Sequence, residues 1–201
     1  MTLQIPDGDF DGYVFDCDGT LADTMPLHYE AWLATLKPHG VDLFPEPYFY
    51  ELGGAPSMEI VRLLNERNGL SLDPDQIVEQ KEATYISLLG KATPIQPVVD
   101  FAKKLRDAGK PIAVASGGHH AIIRGTLTAL GIFDWFDAIV GVEDYVNGKP
   151  APDPFLAAAC KLGVDPERCL AFEDTAIGIQ SATAAGMRTV RVPVFHQGVG
   201  L

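Results

Sequence analysis

The run Tyr13-Val14-Phe15-Asp16-Cys17-Asp18-Gly19-Thr20 decides the fold. Three apolar residues stop abruptly at two acids and a glycine, the pattern of a buried strand that empties into a loop. The same unit recurs along the chain. Ile112-Ala113-Val114-Ala115 precedes Ser116-Gly117-Gly118, and Ala138-Ile139-Val140 precedes Gly141. Leu170-Ala171-Phe172 precedes Glu173-Asp174, and Thr189-Val190-Arg191-Val192 precedes Pro193. Helical patterns over 97–108, 119–130, 154–162 and 175–185 lie between these strands. Each ends at a glycine (Gly109, Gly131, Gly163, Gly186), which is a helix stop signal. Asp153-Pro154 and Asp165-Pro166 read as helix caps followed by first-turn prolines. Strands alternating with helices predict an α/β fold, a doubly wound parallel sheet covered on both faces.

Residues 24–93 break this rhythm. They carry helical patterns over 24–38, 57–69 and 73–90 and no convincing strand, with Ile77, Lys81 and Tyr85 at helical spacing. Proline-rich joints at Pro26 and at Pro94-Ile95-Gln96-Pro97 flank the segment. The expected organisation is an α/β core formed by 1–23 and 94–201, with a small all-α cap, 24–93, inserted after the first strand and standing over the sheet's active end.

Ligands of open parallel sheets bind beyond the carboxyl ends of the strands. Asp16 and Asp18 stand there at i and i+2, so both carboxylates can face one cavity. One can attack a phosphoryl group as a nucleophile while the other moves protons. A turn with two solvated acids fits the bare pattern equally well. Glu173-Asp174 offers hard oxygen donors of the kind Mg²⁺ takes, although Asp174 would also cap a helix starting near Thr175. Ser116, Gly117 and Gly118 can form an anion nest or an ordinary capped glycine loop. Lys149, before Pro150, supplies a cation whose meaning rests on its neighbours. Each strand end is ambiguous alone; their convergence makes the case.

Taken together, Asp16-Cys17-Asp18-Gly19-Thr20, Ser116, Lys149-Pro150-Ala151-Pro152-Asp153 and Phe172-Glu173-Asp174-Thr175-Ala176-Ile177-Gly178 resemble, in order, the four motifs of the haloacid dehalogenase superfamily. The resemblance spans nearly the whole chain. It implies a Rossmann-like core and Asp16 as nucleophile, with Asp18 as general acid and base. Ser116 and Lys149 would contact the transferring phosphoryl group. It further implies Mg²⁺ held by Asp16, the Asp18 carbonyl and Asp174, with Glu173 in support. Within the superfamily the chain is similar to the branch of β-phosphoglucomutase and related sugar-phosphate phosphatases, whose cap follows the first motif. That branch implies substrate contacts at Thr20, His28, Trp32, Gly54, Ser57, Lys81 and Gly117. For His28 a half-buried packing role against Trp32 fits as well, and for Lys81 a solvated position does. In the mutase an arginine follows the cap-loop glycine and grips the substrate's second phosphate. Here the loop reads Gly53-Gly54-Ala55-Pro56-Ser57, a form resembling hydrolases that act on fructose 1-phosphate. The implied activity is hydrolysis of a small phosphomonoester, a sugar phosphate, with sugar-phosphate isomerisation as the alternative. A catalytically silent binding module is disfavoured because Asp16, Asp18 and Lys149 are all present. A dehalogenase would not need the second carboxylate, and a phosphonatase would need Lys81 as a Schiff base.

Composition bounds the remainder. The chain has 201 residues, 47% of them hydrophobic, enough for a well-buried core. A net charge of −12 argues against nucleic acid and anionic membranes as partners. No apolar run approaches the ~20 residues of a membrane span. Cys17, Cys160 and Cys169 form no close pair, which suits reduced thiols in the cytoplasm. Residues 1–11 hold three acids and no basic residue, unlike a secretory signal. The expected partner is the small-molecule substrate and the expected assembly a monomer. Cys17, between two acids, is expected to pack as a spacer. No role is legible in 195–201.

Overall fold

A computed structural model describes residues 3–41, 45–52 and 55–193. The chain enters through β1 (Gly12–Phe15) and the short β2 (Ala22–Asp23), then passes into helices α1 (Met25–Leu36), α2 (Glu46–Glu51), α3 (Ser57–Asn68) and α4 (Pro74–Leu88). Strand β3 (Thr93–Pro94) returns it beside β2. Elements then alternate: α5 (Gln96–Asp107), β4 (Ile112–Ala115), α6 (His120–Ala129), β5 (Ala138–Val140), α7 (Asp153–Leu162), β6 (Cys169–Glu173), α8 (Ala176–Ala184) and β7 (Arg188–Arg191).

Five strands form one parallel sheet in the order β5-β4-β1-β6-β7. The fold is the expected doubly wound, Rossmann-like sheet with a helical cap. Alternation along each strand divides two cores. Tyr13, Phe15, Ile112, Val114, Leu170 and Phe172 face α5 and α6, where Phe15 and Phe172 stack with centroids 4.5 Å apart. Val14, Ala113, Ala115 and Ala171 face the other way, against α7 and α8. The small side chains on that face let Phe155 of α7 press onto the sheet, fully buried. Strand order reverses about β1, so the crevice at its carboxyl end is the topological switch point, where ligands bind in such sheets.

The cap helices share a separate core built from Trp32, Leu36, Phe49, Val61, Leu64 and Ile77 among others. The β2–β3 ladder ties cap to sheet, pairing Ala22 with Pro94 and Asp23 with Thr93. The expectation of no strand in 24–93 is corrected at Thr93; two-residue strands are too short to show alternation in sequence. Helix α2 is a further correction. It has six residues, with Pro45 just before it and Pro47 in its first turn, so it shows no period, yet Phe49 anchors it in the cap core. Capping also differs from expectation. Asp153 is the first residue of α7, not its cap, and its carboxylate accepts from the backbone N–H and side-chain amide of Asn147 at 3.0 and 3.1 Å. Asp165 caps only a single 3-10 turn, Pro166–Arg168. Gly54 and 195–201 lie outside the described residues. No helix among the described residues is long and apolar enough to cross a membrane.

This packing makes a stability prediction. Phe155→Ala opens a cavity between α7 and the sheet and should cost about 3–5 kcal/mol in chemical denaturation. Leu156→Ala, on the exposed side of the same helix, should cost under about 1 kcal/mol. Equal costs would mean that α7 is not docked as described.

Candidate active site

Each sheet strand near the switch point delivers one chemical group. Beyond β1, the Asp16 N–H still donates to Phe172 O at 3.0 Å, extending the ladder and aiming the carboxylate into the crevice. Beyond β4, Ser116 N–H donates to Val140 O at 3.0 Å in the same way. Lys149 lies after β5 and Glu173 ends β6. The four converge. Lys149 Nζ donates to Asp16 Oδ1 at 2.6 Å and to Glu173 Oε1 at 2.8 Å, and all three side chains are almost completely buried. Lys149 is therefore not a solvated surface cation. The two carboxylates hold its pKa above the usual ammonium range against the opposing effect of burial. Removing one partner of such a buried pair typically costs about 3–5 kcal/mol.

Negative charge still exceeds positive charge here. Burial lifts the Asp16 pKa well above the usual carboxylate range; Lys149 opposes the rise, while the charges of Glu173 and Asp174 add to it. Asp174 is raised to about 7, by burial first and by Glu173 second, against the hydrogen bond from Thr20. Thr20 Oγ1 donates to Asp174 Oδ1 at 3.0 Å and is fully buried, so Thr20 holds this carboxylate and does not face the substrate cavity. Gly19, with φ +85°, brings the loop so close to Asp174 that a Cβ there would overlap its carboxylate. Asp174 does not cap α8. Thr175 does, accepting from Gly178 N–H at 3.0 Å, while Glu173 Oε2 accepts from Thr175 N–H and Oγ1. Gly178 is likewise required, because a Cβ would fall on the Glu173 carboxylate.

Three buried acids against one ammonium form a donor set suited to a hard divalent cation. Among the described residues no three His, Cys, Asp or Glu side chains close around one point. The arrangement thus fits an ion taking few side-chain ligands and completing its shell with main-chain oxygen and water, as Mg²⁺ does.

The anion nest is narrower than the glycines suggest. Gly118 N–H donates to Ser116 Oγ at 3.1 Å. The first amide of α6, His120 N–H, donates to the Glu143 carboxylate at 3.1 and 3.2 Å. Ser116, Gly117 and Gly118 all line the cavity, but the Gly118 amide is already turned to Ser116. Glu143 was not legible because it follows β5 in a 3-10 turn with no motif; an acid just past a strand end was the available signal.

Asp18 turns toward the cap. Its Oδ1 accepts from Thr24 Oγ1 at 2.5 Å and stands 3.2 Å from His28 Nε2. Burial alone would raise its pKa, but His28, Thr24 and Lys81 outweigh burial and hold it at about 2. His28 Nδ1 lies 3.0 Å from Lys81 Nζ. An ammonium only donates, so Nδ1 accepts and the ring proton sits on Nε2, pointing at Asp18. Burial and the Lys81 charge both lower the His28 pKa, which agrees with a neutral ring. Tyr85 stacks parallel on His28 with centroids 4.0 Å apart, and its hydroxyl is 2.9 Å from Thr126 Oγ1 on α6. Lys81 is 5% exposed, in contrast to the solvated alternative. Thr24 belongs, with Asp23, His28 and Trp32, to the cap-entry pattern that the resemblance implies, whereas Tyr85 is a site residue legible only as the i, i+4 neighbour of Lys81. Cys17 is fully buried, and burial, joined by the charges of Asp18 and Asp16, pushes its thiol pKa up.

Between sheet and cap lies a cavity of about 450 Å³. Asp16, Asp18, His28, Trp32, Ser57, Lys81, Ser116, Gly117, Lys149 and Glu173 line it, so the structure brings together most residues singled out from sequence. Thr20 and Asp174 lie behind its wall. No arginine is among the described lining residues, and Arg62 is exposed and paired with Glu59.

Comparisons with known proteins bear on family and fold. Residues 10–186 match the family model described as haloacid dehalogenase-like hydrolase. The chain is 39% identical over 182 residues to fructose-1-phosphate phosphatase YqaB of Escherichia coli K12, covering 90% of this chain and 95% of that one. It is 34% identical over 184 residues to hexitol phosphatase B of the same organism, covering 90% and 82%. Among solved structures, β-phosphoglucomutase of Clostridium difficile superposes with a TM-score of 0.80 at 26% identity, covering 90% of this chain and 83% of that one.

The Lys81–His28–Asp18 chain makes its own prediction. Nitrogen NMR of the intact protein should show His28 as the neutral Nε2–H tautomer. Lys81→Met should abolish that fixed state and lower kcat by roughly 10²-fold, the scale of a misaligned acid–base group. An Nδ1–H ring in the unmutated protein would refute the assigned relay.

Proposed function

The chain belongs to the haloacid dehalogenase-like hydrolases, and from that premise we propose that it is a Mg²⁺-dependent phosphatase of a sugar monophosphate working through phospho-Asp16. The observation that carries the reading is the Lys149 ammonium, 2.6 Å from Asp16 Oδ1 at the switch point of the sheet. Burial, joined by the charges of Glu173 and Asp174, favours the uncharged acid at Asp16, and Lys149 works in the opposite direction, towards the carboxylate that attack requires. Phosphorylation of Asp16 forms the Asp16 O–P bond as the ester P–O bond breaks, leaving the sugar oxygen to take a proton. Ser116, Gly117 and Lys149 line the cavity; the first two would contact the phosphoryl oxygens and Lys149 would neutralise their charge.

Asp18 serves two half-steps. As held here it is an ionised carboxylate, ready to take a proton from the water that cleaves phospho-Asp16. To deliver a proton to the leaving sugar, Asp18 must first take one up from solvent as substrate replaces its contacts with His28 and Thr24; that proton goes to the sugar oxygen, and the carboxylate left behind then takes one from the attacking water. Mg²⁺, bound by Asp16, the Asp18 carbonyl and Asp174 with Glu173 in support, would screen the charge that opposes a carboxylate approaching a phosphate. The cap, residues 24–93, would close the cavity against water.

The names of the two Escherichia coli relatives support a sugar-phosphate or sugar-alcohol-phosphate substrate. The lack of arginine in the described cavity lining disfavours the mutase reading, since an exchange through a bisphosphate needs a second grip, usually bidentate arginine.

Phosphate release from fructose 1-phosphate, hexitol phosphates and acetyl phosphate with Mg²⁺ tests the reading. Asp16→Asn should lower kcat by at least about 10³-fold, and excess EDTA should halt release reversibly. Full activity in either case, or isomerisation of a hexose phosphate without free phosphate, would overturn it.

A further inference from the structure

We infer that Glu82 is a specificity-determining residue that admits substrates with a neutral, hydroxyl-bearing far end and rejects those carrying a second anionic group. The inference rests on the phosphatase reading of the adjoining site and names what that site selects. Glu82 sits on α4, next in sequence to Lys81, and lines the 450 Å³ cavity together with His119 of the loop before α6. The two side chains face each other from cap and core, with His119 Nε2 3.9 Å from Glu82 Oε1. His119 is held from the core side by Glu143, Nδ1 to Oε1 at 3.0 Å.

Beyond this pair the cavity adjoins an outer groove of about 530 Å³, and Met58, Val78, Glu82 and His119 belong to the walls of both. The groove adds Asp75 and Glu79 and has no lysine or arginine among its described lining residues. A substrate whose phosphate lies against Ser116 and Lys149 thus extends toward an acidic wall.

The cavity's cations offset that wall only in part. Lys149 is engaged by Asp16 and Glu173, and Lys81 donates to His28 while its charge is shared between Asp18 and Glu82. A second phosphate near Glu82 would meet like charge in a half-enclosed space, where repulsion is far stronger than in bulk water. Hydroxyls suit the same wall, since a carboxylate accepts two hydrogen bonds from a diol and His119 offers a further polar contact.

The test compares a hexose monophosphate with the corresponding hexose bisphosphate, using the full-length protein with Mg²⁺. The wild type should prefer the monophosphate in kcat/KM, and the preference should shrink as ionic strength rises. Glu82→Gln should narrow the preference by about tenfold, mainly through KM for the bisphosphate, and Glu82→Lys should narrow it further. Glu79→Gln, in the groove but not the cavity, should change it less. The same comparison read as Kd by calorimetry on Asp16→Asn protein decides the inference even where no turnover occurs. Hydrolysis with no mono-over-bisphosphate preference, or a preference unmoved by Glu82→Gln and Glu82→Lys in folded protein, would overturn it and leave the phosphatase reading standing. Failure to release phosphate from any phosphate ester or from the acyl phosphate acetyl phosphate would count against the phosphatase reading, and the binding ratio would still report on Glu82.

Discussion

The rest of the site depends on how one buried ammonium is shared. Lys149 contacts both Asp16 and Glu173, and no comparable charge balances Asp174 nearby. Three acids gathered at one end of a parallel sheet would otherwise repel one another and favour protonation. Lys149 partly offsets that repulsion at Asp16 and Glu173, and the remaining imbalance is what makes a divalent cation chemically apt there. The topology supplies the convergence: β1, β4 and β6 are adjacent, so residues distant in sequence end together at the switch point.

A second electrostatic device serves the cap side. Lys81 fixes the tautomer of His28, His28 orients Asp18, and Tyr85 clamps the ring by stacking. Asp16 is thus held by core residues, whereas Asp18 is held by core and cap together. If Asp18 handles the proton as proposed, cap placement and proton transfer would draw on this one set of contacts. The Tyr85 hydroxyl, 2.9 Å from Thr126 on α6, extends the same contact into the core.

Much of this was legible in the sequence, for a physical reason. Buried parallel strands read as apolar runs, and their catalytic residues follow at once in the chain, so Asp16, Ser116 and Glu173-Asp174 announce themselves locally. Lys149 was legible only through its company. What the sequence hid depends on long-range geometry. The Lys81–His28 contact joins residues 53 positions apart, and Tyr85–Thr126 joins residues 41 apart. The glycines after β4 suggested an open anion nest, whereas Glu143 takes one of its amides from across a loop. Thr20 was grouped with substrate contacts by resemblance but is turned inward to Asp174. Helix α2 and the β2–β3 ladder were too short to leave a period.

The central claim is that phosphate leaves in two displacements, first onto Asp16 and then onto water. The stereochemical course at phosphorus tests this most directly, using an isotopically chiral phosphate ester. Two in-line displacements predict overall retention of configuration in the released phosphate. Inversion would mean that water attacks the ester in a single step, and Asp16 would then not be a nucleophile.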